Sequence, residues 1–327
     1  MVGGIGPADG GDGGDGGDGG DGGDGGALSV IHSSTVWRPI GISPAIIKPA
    51  NQDWWRGDKW PPADWDDDTL TPPNTGWPNH HARRYPRRAW SSYYFGLAML
   101  GEFAATGATT NPTWDAIPLP AYPAFGTTQF DDEINELVAL IDYRPGVMTE
   151  ALMQRNDLIK YWCGVLLFGA ASHPYTYDLV EIAFRVAQFQ VMHYKRMANQ
   201  GKGRPRPSQV CPALMPPIEV PGHAAFPSGH STESHLISLC LAEVMPDAVK
   251  TPYIGDNTDP DYANSTALTR IAQRIARNRE VLGLHYPSDT RAGRALAEGT
   301  FRILMQCPTV TNEIIPEAKE EWDHNNY

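Results

Sequence analysis

Three short stretches of the 327-residue chain break the ordinary rules of helix surfaces, and they carry most of its chemistry. The first runs from Lys195 to Pro207 and holds Lys195, Arg204 and Arg206. Lys195 closes an amphipathic helix, and the two arginines stand in a loop stiffened by Pro205 and Pro207, which suits a preset anion clamp. Cations are also favourable at any helix C-terminus through the macrodipole, so a structural role stands beside that one. The second stretch is Phe226-Pro227-Ser228-Gly229-His230-Ser231-Thr232, which opens a helix. Ser228 suits the cap, Gly229 lets backbone approach a ligand, and the unpaired N–H groups of a first turn attract anions. His230 would stand beside that site, placed to move a proton. A plain N-cap followed by a surface His is the alternative.

The third stretch is Arg279-Glu280-Val281-Leu282-Gly283-Leu284-His285-Tyr286-Pro287-Ser288-Asp289. Arg279 follows Ile275 by four residues and precedes Leu282 by three, so it lies on the apolar stripe of its helix. A guanidinium pointed into a core is costly unless it meets an anion, so Arg279 predicts a buried negative partner. Arg270, Arg274 and Arg277 fall on another face and read as solvated. Asp289, four residues after His285, can hold one imidazole nitrogen, fix the tautomer and raise the basicity of the other. A simple Arg–Asp or His–Asp structural pair competes with that reading. Taken together, the cations, the helix start and the two histidines suit a tetrahedral or trigonal-bipyramidal oxyanion such as phosphate or vanadate. One His would attach to the central atom and another would serve the opposite apex. A metal cation suits these positive surroundings poorly, and His223, His230 and His235 are not spaced as a helical ligand pair.

The elements that must position these groups read as helices. From about Phe130 to Cys307, apolar residues recur at three- and four-residue steps: Leu179, Ile182, Val186, Phe189 and Met192; Leu236, Leu239 and Cys240; Leu268, Ile271, Ala272 and Ile275. Little of the alternation needed by a half-buried strand is present, so an all-α bundle is expected. The expected divisions are a Gly/Asp-rich tail over 1–26, a Trp/Pro-rich arm over 27–125, a helical catalytic domain over 126–310 and a C-terminal tail over 311–327. The first tail repeats Gly-Gly-Asp and reads as a solvated linker, with a stacking polyglycine helix or cation-binding Asp rows as the sharper alternatives. The arm holds seven of the ten tryptophans and is punctuated by Pro too often for long helices. Its His80-His81-Ala82-Arg83-Arg84 cluster reads as a polar loop or subunit contact rather than a ligand site.

Composition bounds the partners. Six of the 38 acidic residues fall in the first tail, so half of the net charge of −12 belongs to it and the body is only mildly acidic. Such a body is a poor nucleic-acid binder. Cys163, Cys211, Cys240 and Cys307 form no CxxC pair, which argues for free thiols, mostly buried. No apolar run is long enough to span a bilayer, and the first residues lack the order of a secretory signal; a cytoplasmic, soluble protein is expected.

The three stretches together resemble the signature of the vanadium haloperoxidase and type 2 phosphatidic acid phosphatase superfamily: Lys-x6-Arg-Pro, Pro-Ser-Gly-His and Arg-x5-His-x3-Asp. The second and third match residue for residue and in order. The first departs, because Lys195 and Arg206 are separated by ten residues and Lys195 and Arg204 by eight. Variants of the superfamily with Gly-Arg-x-Arg-Pro use the second Arg, which favours Arg206 over Arg204, with Lys202 a weaker substitute for the lysine. The resemblance covers roughly residues 175–300. It implies a helical bundle in which Lys195, Arg206, Arg279, Ser228 and the Gly229 N–H bind the oxygens of vanadate, or of phosphate in the apo form. His285 would bond to vanadium, His230 would be the acid/base, and Asp289 would orient His285.

The superfamily holds both oxidases and phosphatases. His223, five residues before Ser228, matches the His that algal bromoperoxidases carry before Pro-Ser-Gly-His, where chloroperoxidases have Phe; a loop His without a role is the alternative. The run His285-Tyr286-Pro287-Ser288-Asp289 looks more like the phosphatase branch. The expectation is a vanadate-dependent bromoperoxidase that uses H2O2 to oxidise bromide to a hypobromite-like species, which then halogenates a small organic acceptor. A soluble phosphatase working through a phosphohistidine is the runner-up. A non-catalytic assembly module built on the tail and arm is a third possibility, disfavoured by the retention of every ionisable group of the motif. Family precedent and the aromatic arm suggest a homo-oligomer.

Overall fold

A computed structural model describes residues 90–251 and 265–323. The Gly-Gly-Asp tail, the His80-His81-Ala82-Arg83-Arg84 cluster and nearly all of the Trp-rich stretch lie outside them. The described residues are all-helical, as the periodicities require, and contain no strand. The long helices are α1 (Ser92–Gly107), α2 (Thr128–Ala139), α3 (Arg144–Asn156), α4 (Leu158–Leu166), α5 (Pro174–Met197), α6 (Gly229–Val244), α7 (Ala267–Val281) and α8 (Pro287–Leu304), followed by the short α9 (Ile315–Glu320). No helix among them is long and apolar enough to cross a membrane.

Helix α6 is the axis. Ser228 caps it, no Pro interrupts it before Pro246, and α5, α7 and α8 pack around it. It is therefore buried on nearly every side, including Gly229, His230 and Ser231 at its start and Leu236, Ile237, Cys240 and Leu241 further on. Burying each such Leu or Ile contributes about 1.5–3 kcal/mol. The stripe of α5 holds through Leu179, Ile182 and Val186, but Met192 is 49% exposed; the buried line passes instead through Val191 to Lys195.

Two of the expected divisions fall elsewhere. The arm does not run to 125, because α1 begins at Ser92 and packs Met99 and Phe103 into the main core against α5. Between Pro86 and Pro112 the sequence is free of Pro, and the dense punctuation on either side hides this window. Gly96 permits the close approach: a Cβ there would sit 3.2 Å from Arg185 Cγ and 3.3 Å from the Glu181 carbonyl. Nor is 311–327 a tail throughout. Val310–Ile314 forms one wide helical turn that runs into α9, burying Ile314, Ile315 and Ala318. Pro316 stands in the first turn of α9, where its missing N–H costs nothing. Glu321 then caps α5, accepting from Tyr175 N at 2.7 Å, Thr176 N at 2.8 Å and Thr176 Oγ1 at 2.7 Å.

Candidate anion-binding site

The site is assembled from three helix ends and one loop. At the first end, α7 stops at Leu282 and the chain turns through Gly283, whose φ of +74° favours glycine. Leu284 N returns to the Arg279 carbonyl at 3.0 Å, closing the turn. A Cβ on Gly283 would also come within 3.1 Å of Arg144 Nη2. That buried guanidinium donates to the carbonyls of Val281, Met215 and Leu214 at 3.0, 2.9 and 2.7 Å, tying the turn to the loop beneath it.

The second end is the start of α8. Pro287 lies in its first turn, and Asp289 Oδ2 accepts from Tyr286 N at 3.0 Å, the carboxylate half of a capping box. The same oxygen faces His285 Nδ1 at 3.3 Å. On its other side, His285 Nε2 lies 3.0 Å from Arg206 Nη1. A carboxylate only accepts and a guanidinium only donates, so the ring is assigned as the Nδ1–H tautomer with its Nε2 lone pair turned to Arg206. Burial pushes the Asp289 carboxyl up. The hydrogen bond from His285, the charge of Arg204 and the Tyr286 N–H outweigh it and hold the group below the usual carboxylate range.

Arg206, 1% exposed, is the hub. Besides His285 it donates through Nε to the His223 carbonyl and through Nη1 to the Leu284 carbonyl, both at 3.0 Å, and its Nη2 lies 3.1 Å from His223 Nδ1. The same Nδ1 of this half-buried ring also faces the Ala224 carbonyl at 3.3 Å. Lys195, also buried, donates to the adjoining carbonyls of Ala224 at 2.7 Å and Ala225 at 3.3 Å. The cations from α5 and its following loop thus converge on 223–225, just ahead of the helix start that carries His230.

The third end is that start. Ser228 Oγ accepts from Ser231 N at 3.4 Å, and Ser228 N donates to the Asp289 carbonyl at 3.0 Å, which ties the N-terminus of α6 to that of α8. Gly293 of α8 makes the contact possible, since a Cβ there would meet the Ser228 carbonyl at 2.7 Å and Ser231 Cβ at 2.8 Å. His230 is completely buried in this first turn. Arg279 is completely buried too, as its place on the α7 stripe requires, and its Nη2 donates to the Ala151 carbonyl of α3. Arg274 and Arg277 are paired rather than merely solvated: Arg274 meets Glu150, and Arg277 bridges Glu136 and the buried Glu280.

Arg204, the second choice for the anion, faces elsewhere. Its Nη1 binds Asp289 Oδ1 at 2.6 Å and Ser288 Oγ at 2.7 Å, and its Nη2 binds Glu133 Oε2 at 3.0 Å. The guanidinium also stacks on Tyr286, 3.6 Å from the ring centroid, and on Tyr122 at 4.5 Å. Two buried carboxylates therefore absorb its charge. Lys202 is exposed on the loop. Glu133 is the partner the sequence reading missed. Its signal was present: it stands three residues after Phe130 and four before Leu137, on the buried face of α2, where an acid demands a partner as Arg279 does. His235 is a different case. Its Nδ1 donates to the Ser231 carbonyl at 2.7 Å, and burial pulls its pKa down to about 4, so it stays neutral in the core.

The arrangement offers buried cations, a helix N-terminus and an imidazole of fixed tautomer, which is the donor set of an oxyanion site rather than of a metal-cation site. Neither a scan of family models nor a search of curated proteins finds a match to this chain.

Proposed function

We propose that the chain is a vanadate-dependent haloperoxidase that oxidises bromide with H2O2. The observation that carries this reading is His285: Asp289 holds its Nδ1–H, its Nε2 meets Arg206, and Arg206 in turn meets His223. The resemblance of the three motifs to the vanadium haloperoxidase and type 2 phosphatidic acid phosphatase superfamily supports it as well. Lys195, Arg206, Arg279, Ser228 and the Gly229 N–H would hold the oxygens of vanadate, and His285 Nε2 its vanadium. Bound vanadate would supply a Lewis-acidic centre at which H2O2 becomes a two-electron oxidant of halide.

The chain's own residues do the rest. Asp289 orients His285 and keeps the Nε2 lone pair available. Arg206, held by backbone carbonyls on two sides, is fixed in place before any anion arrives, so little reorganisation is needed. His230, completely buried in the first turn of α6, would be the group that gives or takes a proton beside the anion, and burial of the whole set strengthens every charge interaction within it. His223, whose ring lies against Arg206, is the residue that favours bromide oxidation. The second reading, a phosphatase, rests on the same tautomer: a neutral imidazole with an aimed lone pair is what an attack on phosphorus needs, with His230 protonating the leaving group. Protein reconstituted with vanadate should brominate an organic acceptor when given H2O2 and bromide, and the vanadate-free form should hydrolyse phosphate esters slowly if at all. Tight vanadate binding without bromination rules out the first reading. Full activity in His285→Ala rules out the site.

A further inference from the structure

We propose that Glu133 is a positioning residue for His285, acting through Arg204 and Ser288. The inference rests on the reading of His285 as the group that meets the oxyanion. Glu133 comes from α2, far from the motifs in sequence, yet both of its oxygens are spent on the His285 turn. Its Oε1 accepts from Ser288 N at 2.7 Å and from Arg291 Nη2 at 3.2 Å. Its Oε2 accepts from Ser288 Oγ at 2.8 Å and from Arg204 Nη2 at 3.0 Å. The first turn of α8, which sets the position of both Asp289 and His285, is thereby anchored to a second helix.

The charges form one line, Glu133–Arg204–Asp289–His285. Arg204 divides itself between two carboxylates, one on each side. Asp289 divides itself between Arg204 on Oδ1 and the N–H groups of His285 and Tyr286 on Oδ2. With Glu133 neutral, Arg204 would belong to Asp289 alone. It would draw that carboxylate's electron density towards Oδ1, and Oδ2 would become a poorer acceptor for His285 Nδ1–H. Glu133 thus keeps the hydrogen bond that fixes the tautomer strong, although its own partners are Ser288, Arg204 and Arg291 rather than the imidazole, Lys195, Arg206 or Arg279. Because the charges are buried, the coupling is little screened by salt.

The test compares the full chain with its Glu133→Gln, Asp289→Asn and doubly substituted forms. The readouts are the downfield proton resonance of His285 Nδ1–H, assigned by its loss in His285→Asn, the turnover, and the affinity for inorganic phosphate by calorimetry. Glu133→Gln should move the resonance upfield and lower kcat on the order of tenfold, as loss of an outer-shell partner does. Phosphate affinity should stay within about twofold, since the anion's own donors are untouched. In the Asp289→Asn background the second substitution should add nothing further to the loss of turnover. Arg204→Lys, whose compact ammonium cannot bridge both carboxylates, should move the resonance likewise and serves if the Gln form folds poorly. An unmoved resonance, or losses of turnover that simply add, overturns the proposal. A chain with neither bromination nor phosphatase activity would end the functional reading instead, and the resonance alone would then decide the role of Glu133.

Discussion

Asp289 shows how much one side chain carries at this site. It caps α8, orients His285 and balances Arg204, and its carboxyl is held below its ordinary range despite complete burial. A depressed acid contributes stability that is fully present above its unfolded value, about 3.9. That contribution is lost as pH falls through the lower folded value. Asp289→Asn should therefore be less stable than the natural chain at every pH above about 4 and approach it only in stronger acid. Urea denaturation across pH 2–7 checks this, and a difference that grew as the pH fell would contradict it. The His285–Asp289 pairing was legible because both residues share one short motif. The choice between Arg204 and Arg206 was not, because spacing alone cannot say which of two neighbouring arginines turns towards a carboxylate more than seventy residues away. Glu133 was half legible: its place on an apolar stripe announced a buried acid, but nothing in α2 named the partner.

At the scale of elements, the site depends on how closely α6 and α8 approach. Gly293 sets that distance, and two effects of opposite sign meet there. Replacing a helical Gly by Ala gains about 1 kcal/mol of helix propensity where there is room. Here the new Cβ would lie 2.7 Å from the Ser228 carbonyl, a backbone atom that can yield only by moving the helix start. Overpacking of that kind typically costs about 1–3 kcal/mol, so the clash should win. Gly293→Ala should lower stability, stretch the Ser228–Asp289 backbone bond and weaken phosphate binding; denaturation and calorimetry read the two effects separately. The core helices were legible from period alone, since α5, α6 and α7 bury most of the residues their stripes name. Helix α1 was not, because the dense prolines on either side hide its window, and the six-residue α9 is too short to show a period. The cap that Glu321 gives α5 is a long-range contact, with no local signature at all.

At the scale of the whole molecule, a chain of net charge −12 buries, among the described residues, as many basic side chains as acidic ones, six of each. Lys195, Arg206 and Arg279 are among these buried bases, and Arg206 lies against His285, while Arg204 is neutralised by Glu133 and Asp289. An anion held by Lys195, Arg206 and Arg279, as the proposed function requires, should stabilise the folded chain beyond the ordinary effect of salt. Binding to the folded state alone contributes about 2.7 kcal/mol at a ligand concentration a hundred times the dissociation constant. For a domain of this size, that moves the melting midpoint by several degrees, at about 2–4 °C per kcal/mol. Phosphate and vanadate should both raise the midpoint of the natural chain in a saturable way, with chloride at matched ionic strength raising it little. Arg206→Ala should abolish the rise, because it removes the donor that lies against His285 Nε2. Arg302→Ala, which alters an exposed residue at the end of α8, should keep it. An equal rise in both variants would place the anion on the surface, and these buried cations would then be a feature of the fold without a ligand of their own.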